Sequence, residues 1–308
     1  MISIIVLVRD VRDLAANCLQ SLLVSLRMLG LERASEYILA DDCSNKERGV
    51  VELFQQFRTA TPMPVKIMHF KTHQHYGRAL AYAMSVAKGD QILFFSHDML
   101  ITPQCIRMLL AVAATDQRMG IVRPVSQHMD GADRVAVRPP FQLMFGDQLN
   151  AFATTVAYRH GLGVAVPSAL IGDAMLIRRD VMERIGVFDP RFPGFLADID
   201  YGVRARRAGF NHVIALGAWL HHLGKGLMRD SAGQVPGKAE AIHAENVAML
   251  DRSWAIFREK WGAHRLPERF SESGDRELAM LAQSDATDTS VNDHQPPITP
   301  APQDCEML

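Results

Sequence analysis

Two apolar runs in this chain end in carboxylates. Tyr37-Ile38-Leu39-Ala40 leads straight into Asp41 and Asp42, and Gln91-Ile92-Leu93-Phe94-Phe95 leads through Ser96 and His97 into Asp98. Short β-rich runs separated by helical stretches read as parallel strands buried on both faces of an open sheet. Such sheets bind ligands beyond the carboxyl ends of their strands, so acids placed there point into a site. A metal and a nucleotide both suit that position.

The first third of the chain supports an α/β reading. Ile2 to Val8 reads as a strand, Leu14, Cys18, Leu22 and Leu26 mark one face of a helix, and Tyr37 to Ala40 begins the second strand. Val50 to Phe57 reads as a helix, Pro64 to Phe70 as a strand, and Gly77 to Lys88 as a helix stopped at Gly89. Thr102 followed by Pro103 predicts a capped helix running to about Ala114. From Gly120 to about Val166, prolines, glycines and an Asp130-Gly131 turn signal break the pattern, and a loop-rich insert is expected.

Order then resumes with a strand at Ala174 to Arg178 and helices at Arg179 to Ile185 and Asp198 to Ala208. Short strands are expected at Val213 to Leu216 and Trp219 to His221, and a long helix at Lys238 to Trp261. Gly224 to Gly237 is glycine-rich and reads as mobile. From Ser271 onward Ser, Asp, Thr, Gln and Pro dominate, so residues 271–308 are expected to be a disordered tail. Residues 1–119 and 120–270 then form two halves of one domain.

Composition removes several classes of function. With 308 residues, 48% of them apolar and 22% charged, the chain can bury a large core, and its formal net charge of -1 gives no reason to expect nucleic acid as partner. The four cysteines form no Cys-x-x-Cys pair, which suggests neither a zinc cluster nor a disulfide framework. The start carries no secretory pattern, and no apolar run reaches the roughly 20 residues that span a bilayer. The expectation is a cytoplasmic protein, with peripheral contact at the inner face of a membrane left open.

Motifs narrow the chemistry further. Val8-Arg9-Asp10-Val11 follows the first strand where a dinucleotide site would show Gly-x-Gly-x-x-Gly, and no Gly-Lys-Ser/Thr phosphate loop exists. Acid-tipped parallel strands without a glycine loop suit a nucleotide whose diphosphate is neutralised by a divalent metal. Asp98 is the candidate ligand, because Mg²⁺ and Mn²⁺ prefer carboxylate oxygens and complete their shells with phosphate oxygens. Asp41 and Asp42 could accept hydrogen bonds from a base or ribose. Each acid has a plainer reading as a cap or turn residue. Downstream, Asp200 and Arg204 are spaced as a helical ion pair, and Asp198 as either N-cap or general base. His221-His222-Leu223-Gly224-Lys225-Gly226 places two histidines before glycines that would let backbone approach a ligand.

An ordered series of segments resembles the family 2 glycosyltransferases. It comprises Ile4 to Arg9, Leu39 to Ser44, Gly89 to Asp98, Gly172 to Arg179, Ile185 to Asp189, Asp198-Ile199-Asp200, Arg206 to Phe210 and His222. The likeness covers about residues 2 to 262 and closes on Lys260-Trp261-Gly262, similar to rhamnosyltransferase-like members. The resemblance implies the GT-A fold, a Rossmann-like mostly parallel sheet flanked by helices with a smaller mixed acceptor-side region.

By that resemblance Asp41 or Asp42 contacts the nucleotide base, with Arg9 and Arg78 on the same nucleotide side. Asp98 and His222 hold a divalent metal, Mg²⁺ or Mn²⁺, with His221 as the fallback, and Asp198 is the catalytic base. His97, Gly172, Asp173, Asp200, His221 and Lys225 shape the donor and acceptor pocket. The implied reaction is inverting transfer of a sugar from a nucleotide-sugar donor to a hydroxyl of a glycan or lipid-linked glycan, in polysaccharide assembly. The chain departs from the family at Ser96, the first acid of the metal element, and at Ala197, where a Glu precedes the base. Those departures motivate an alternative, a non-catalytic sugar-nucleotide-binding relative or scaffold. A sugar nucleotidyltransferase fits less well, since Val8 to Arg12 lacks its glycine-rich loop.

Overall fold

The computed structural model describes residues 1–129, 131–140, 146–224, 238–262, 266–270 and 303–308. Strands β1 (Ile2–Val8) and β2 (Ser35–Asp42) are buried along their whole lengths, as central strands covered on both faces must be. Their side chains divide by alternation. Ile5, Leu7, Ile38 and Ala40 enter one core layer, and Ile4, Val6, Val8, Tyr37 and Leu39 enter the other. Helix α1 (Arg12–Met28) covers the second layer with Ala15, Cys18, Leu19, Leu22 and Leu26, at helical spacing. Helix α2 (Val50–Ala60) buries Val50 and Phe54 on the same side.

The chain continues through β3 (Val65–Phe70), α3 (His75–Ser85), β4 (Gln91–Ser96), β5 (Met99–Leu100) and α4 (Pro103–Ala113). Thr102 caps α4, its hydroxyl accepting from the Cys105 amide at 3.1 Å, with Pro103 at the first helical position. Then come β6 (Met119–Val125), α5 (Asp147–His160), β7 (Val164–Ala165), β8 (Ala174–Arg178), α6 (Arg179–Ile185) and α7 (Ala197–Arg207). The described chain ends with β9 (Asn211–Trp219), β10 (His221–His222), α8 (Lys238–Trp261) and β11 (Cys305–Met307).

Among the described residues, nine strands form one sheet in the order β11-β3-β2-β1-β4-β8-β6-β9-β7. Strands β1, β2, β3, β4, β6 and β9 share one direction, while β8, β7 and β11 run against it. The strand order reverses at β1, which has β2 on one side and β4 on the other, the kind of point beyond whose strand ends open α/β sheets bind their ligands. Leu7 pairs with both Ala40 and Ser96, so β1, β2 and β4 finish level. Strand β8 is antiparallel to β4, with Ala174 opposite Phe95, and therefore begins at the edge where β4 ends. A separate two-stranded ribbon pairs His222 of β10 with Met99 of β5.

Three expectations need correction. Residues 120–166 are not a loop-rich insert, because they contain β6 deep in the sheet and the 14-residue helix α5. Pro124 lies inside β6, where a register shift between Arg123 and Val125 removes the need for its missing N–H. The segment after α7 is one strand, β9, continuous through Gly217. A Cβ there would lie 2.4 Å from the Gly161 carbonyl oxygen, so the glycine marks close backbone approach rather than a break. Residues 305–307 form a strand on β3, whereas a disordered tail was expected; residues 271–302 lie outside the described residues.

Candidate functional site

At the ends of β1, β2 and β3 the structure gathers Arg9, Asp42 and His73. The Arg9 guanidinium lies 2.6 Å from Nδ1 of His73, and His73 Nε2 is 3.3 Å from the Asp42 carboxylate. Asp42 also accepts from the Gln74 amide at 2.6 Å. The His75 ring packs on that of His73 with centroids 3.7 Å apart. Burial, with help from the neighbouring His73, pushes the His75 pKa down to about 4, so this ring is neutral at pH 7. Neither histidine was singled out from the sequence. The signal available was the run His69-Phe70-Lys71-Thr72-His73-Gln74-His75 after a predicted strand.

Asp41 and Asp42 do not share a site, because adjacent strand residues face opposite sides of the sheet. Asp41 is fully buried, its carboxylate 2.7 Å from Nδ1 of His69 and accepting from the Ser44 amide at 3.1 Å. It lines a cavity of about 560 Å³ with Cys43, Lys46, Glu52, His69 and Glu306. Arg78 is not brought to the Asp42 cluster by a hydrogen bond. Its Nε donates to the Pro190 carbonyl at 2.7 Å and ties α3 to the loop before α7.

At the end of β4, Asp98 meets His222 across the β5–β10 ribbon, with Nε2 of His222 3.3 Å from Asp98 Oδ2. The backbone fixes the contact, since the Leu223 amide donates to the Asp98 carbonyl at 2.9 Å. Gln127 holds the other side of the ribbon, its Nε2 donating to the His222 carbonyl and meeting Nδ1 of His221, both at 2.6 Å. Desolvation lowers the His222 pKa, but the hydrogen bond and charge of Asp98 outweigh it and the net shift is upward. His221 is pushed down to about 4, by burial first and then by His128 and His222. His97 Nδ1 lies 3.3 Å from the Leu7 carbonyl, and burial lowers the His97 pKa.

The Asp98 carboxylate and the His222 imidazole, 3.3 Å apart, are donor types that a divalent cation accepts, while among the described residues no group of three His, Cys, Asp or Glu side chains is placed to hold a metal ion. One carboxylate and one further donor leave room for phosphate oxygens and water, as Mg²⁺ requires.

The remaining candidates arrive with β8 and α7. Asp173 sits 3.7 Å from Nδ1 of His222, and its carboxylate pairs at 2.8 Å with Arg123, a guanidinium only 2% exposed in the neighbouring strand β6. The Asp173 carbonyl accepts from the Ser96 amide and hydroxyl at 3.1 and 2.9 Å, fastening this segment to the end of β4. One residue earlier, the Gly172 amide donates to Asp198 at 2.8 Å and the Gly172 carbonyl accepts from the Tyr76 hydroxyl at 2.7 Å. Asp198 lies in the first turn of α7 rather than at its N-cap, the cap position being Leu196 with φ 66°. Burial raises the Asp198 pKa, opposed by the Gly172 and Ile199 amides and the Arg123 charge.

Asp200 belongs elsewhere. It is fully buried and bonded to Arg204 at 2.9 Å, Lys260 at 2.7 Å and the Trp261 indole at 3.0 Å, an ion-paired core contact rather than a pocket wall. Lys225 lies outside the described residues.

Known proteins resemble the chain in sequence and in fold. The family profile described as "Glycosyltransferase like family 2" matches residues 2–236. The N-acetylglucosaminyl-diphospho-decaprenol L-rhamnosyltransferases of two Mycobacterium tuberculosis strains are 29% identical over 159 residues, 47% of this chain and 51% of theirs. The chain thus spans about half the length of these curated relatives. Among solved structures, a mannosyltransferase from Pyrobaculum calidifontis in complex with GDP-Man and Mn²⁺ aligns with TM-score 0.51 at 16% identity. That alignment covers 91% of this chain and 78% of that one. GalNAc-T7 with UDP, GalNAc and Mn²⁺ aligns with TM-score 0.58 at 13% identity, over 91% of this chain and 54% of that one. The structural likenesses show the GT-A fold, and the profile match over most of the chain gives the assignment: this chain belongs to the family described as glycosyltransferase like family 2.

Proposed function

We propose that this enzyme transfers a sugar from a nucleotide-sugar donor to a hydroxyl of a lipid-linked glycan, in a metal-dependent, inverting reaction. The observation that carries the reading is the segment Gly172-Asp173. It is bonded to Asp198 at one residue and to Ser96 at the next, and it lies beside His222, so the candidate base and the candidate metal pair belong to one crevice.

An acceptor hydroxyl is a weak nucleophile at neutral pH, and a carboxylate within reach must take its proton as it attacks the anomeric carbon. Asp198 is that carboxylate: burial raises its basicity, and the Gly172 and Ile199 amides fix its direction. Attack opposite the departing nucleoside diphosphate inverts the anomeric centre. Asp98 and His222 would hold the divalent cation, which when bound supplies charge stabilisation to the leaving diphosphate. Asp42, Arg9 and the His73–His75 pair would orient the nucleoside. Arg123 holds Asp173 in place beside His222.

The acceptor class rests on the mycobacterial relatives, whose name specifies a diphospho-decaprenol substrate. A lipid-linked acceptor implies work at a membrane surface in polysaccharide assembly; no described helix is long and apolar enough to cross a membrane. The test is release of nucleoside diphosphate from a panel of nucleotide sugars with Mn²⁺ or Mg²⁺, with and without polyprenyl-diphosphate-linked sugars. Acceptor-dependent release supports the reading. Binding without release for every donor and acceptor supports the scaffold alternative, and pyrophosphate release from nucleoside triphosphates would point to a nucleotidyltransferase.

A further inference from the structure

Strand β3 is the last of the parallel strands, and its outer edge would expose a row of unpaired backbone groups. The chain covers that edge with its own distant residues. Cys305, Glu306 and Met307 pair antiparallel with Phe70, His69 and Met68, and the bonding extends past both ends of the short ladder. The Lys71 amide donates to the Asp304 carbonyl at 3.0 Å, and the Leu308 amide donates to the Ile67 carbonyl at 3.0 Å. Side chains reinforce it. Lys71 pairs with Glu306 at 2.5 Å, and Arg58 of α2 donates to the Leu308 carbonyl at 2.7 Å.

The bonds made by Asp304 reach furthest. Its carboxylate accepts from the Thr72 hydroxyl and, at 3.4 Å, from the Gln74 side-chain amide. Gln74 Nε2 also donates to the Thr72 carbonyl and hydroxyl, at 3.0 and 2.8 Å, closing a small network across residues 72–74. From that loop the Gln74 backbone amide reaches Asp42, and His73 lies between Asp42 and Arg9. A continuous chain of bonds therefore runs from Asp304 to the acid at the end of β2. On the other face, Glu306 and Leu308 line the cavity that Asp41 and His69 enter. A strand serving only to blunt an exposed edge would need none of these side-chain bonds to the loop.

We propose that residues 304–308 are a working part of the nucleotide site, with Asp304 as a positioning residue. It holds loop 71–75 in the conformation from which Gln74 and His73 meet Asp42. The inference rests on the reading of that cluster as the donor-nucleotide site. Asp304 itself touches no substrate. Its loss would act on donor binding, through the disorder given to the loop, and leave the sugar-transfer step unchanged once donor is bound.

Two variants test this, Asp304→Ala, which keeps the backbone ladder, and a chain ending at Pro302, which removes the strand. Hydrogen exchange of the ligand-free proteins at residues 71–75 is measured beside calorimetric affinity for UDP, GDP and dTDP with Mn²⁺. Losing charge-assisted bonds to the loop is expected to speed exchange there and to raise the Kd of the nucleotide that binds by about tenfold in Asp304→Ala, and further in the shortened chain. In turnover, KM for the donor should rise with kcat held. Wild-type affinity retained by both variants overturns the proposal, whether or not exchange speeds up. If the wild-type protein binds none of the nucleotides, the donor-site reading itself fails and the proposal falls with it.

Discussion

Asp198 has a carboxyl that folding disfavours in its charged form, and this sets opposing demands on the residue. Because its pKa is raised in the folded state, its contribution to stability is present at low pH and is lost as pH rises through the raised value. Once ionised, the group is a burden on the fold and, by the proposed mechanism, a necessity for transfer. Asp198→Asn separates the two. It should lower kcat by about 10²- to 10⁴-fold, the usual worth of a general base, while melting no earlier than wild type at pH 7. The acid limb of the wild-type pH–rate profile should lie above the ordinary aspartate value. Retained turnover in the variant would remove Asp198 from the base role. Sequence could place this residue near a helix start but could not decide between cap and base. The structure takes it off the cap, which is Leu196, and its carboxylate is directed by the amide of Gly172, 26 positions upstream. Asp41 and Asp42 show the same limit, since strand alternation says that they diverge and only the packed sheet says that Asp42 faces Arg9 and His73.

Helices α7 and α8 are joined by ions as well as by apolar packing. Lys260, with a side chain 3% exposed, lies 2.9 Å from Asp189 and 2.7 Å from Asp200, while Arg191 and Arg204 pair with the same two carboxylates. Trp254, Phe257 and Trp261 of α8 pack into the same core layer. Removing one partner of a buried pair costs more than the pair contributes, because the other charge is left without compensation. Lys260→Met should therefore destabilise the fold by about 3 kcal/mol, read from denaturant unfolding, with no contact of Lys260 to the site residues to explain a change in kcat. Desolvation alone would raise the Asp189 pKa, yet Arg191 and Lys260 bring it well below the usual carboxylate range. A depressed carboxyl stabilises the fold above its unfolded value and loses that contribution as pH falls through the folded one, so Lys260→Met should also unfold at higher pH on acidification. The periodicity of α8 was legible because it is local. Its ion partners were not: Asp189–Arg191 and the i,i+4 pair Asp200–Arg204 are close in sequence, but Lys260 reaches back 71 positions to Asp189.

Over the whole molecule, one topological fact brings the two halves of the chain to the same crevice. The parallel strands β1, β2 and β4 deliver their ends to one edge, and β8, inserted antiparallel beside β4, starts from that edge. The first arrangement was readable from acid-tipped apolar runs separated by helices. The second was not, because strand direction leaves no mark on an apolar run, and Pro124 and Gly217 disguised the neighbouring strands β6 and β9. Gly172, just before β8, is where the halves meet. A Cβ there would come 2.3 Å from the Tyr76 hydroxyl of α3 and 3.0 Å from the Asp198 Cβ of α7. Gly172→Ala must therefore push the segment away from α3, moving the amide that orients Asp198 together with the Asp173 carboxylate beside His222. Turnover and the affinity for nucleoside diphosphate with Mn²⁺ should both fall, kcat by about 10²-fold, since small misplacements of reacting groups carry costs of that order. The nearer obstacle is a hydroxyl, which Tyr76→Phe removes. The double variant should recover part of both losses, with a coupling of roughly 1 kcal/mol or more between the two positions. Strict additivity would mean that the crevice does not depend on how closely α3, β8 and α7 approach one another at this glycine.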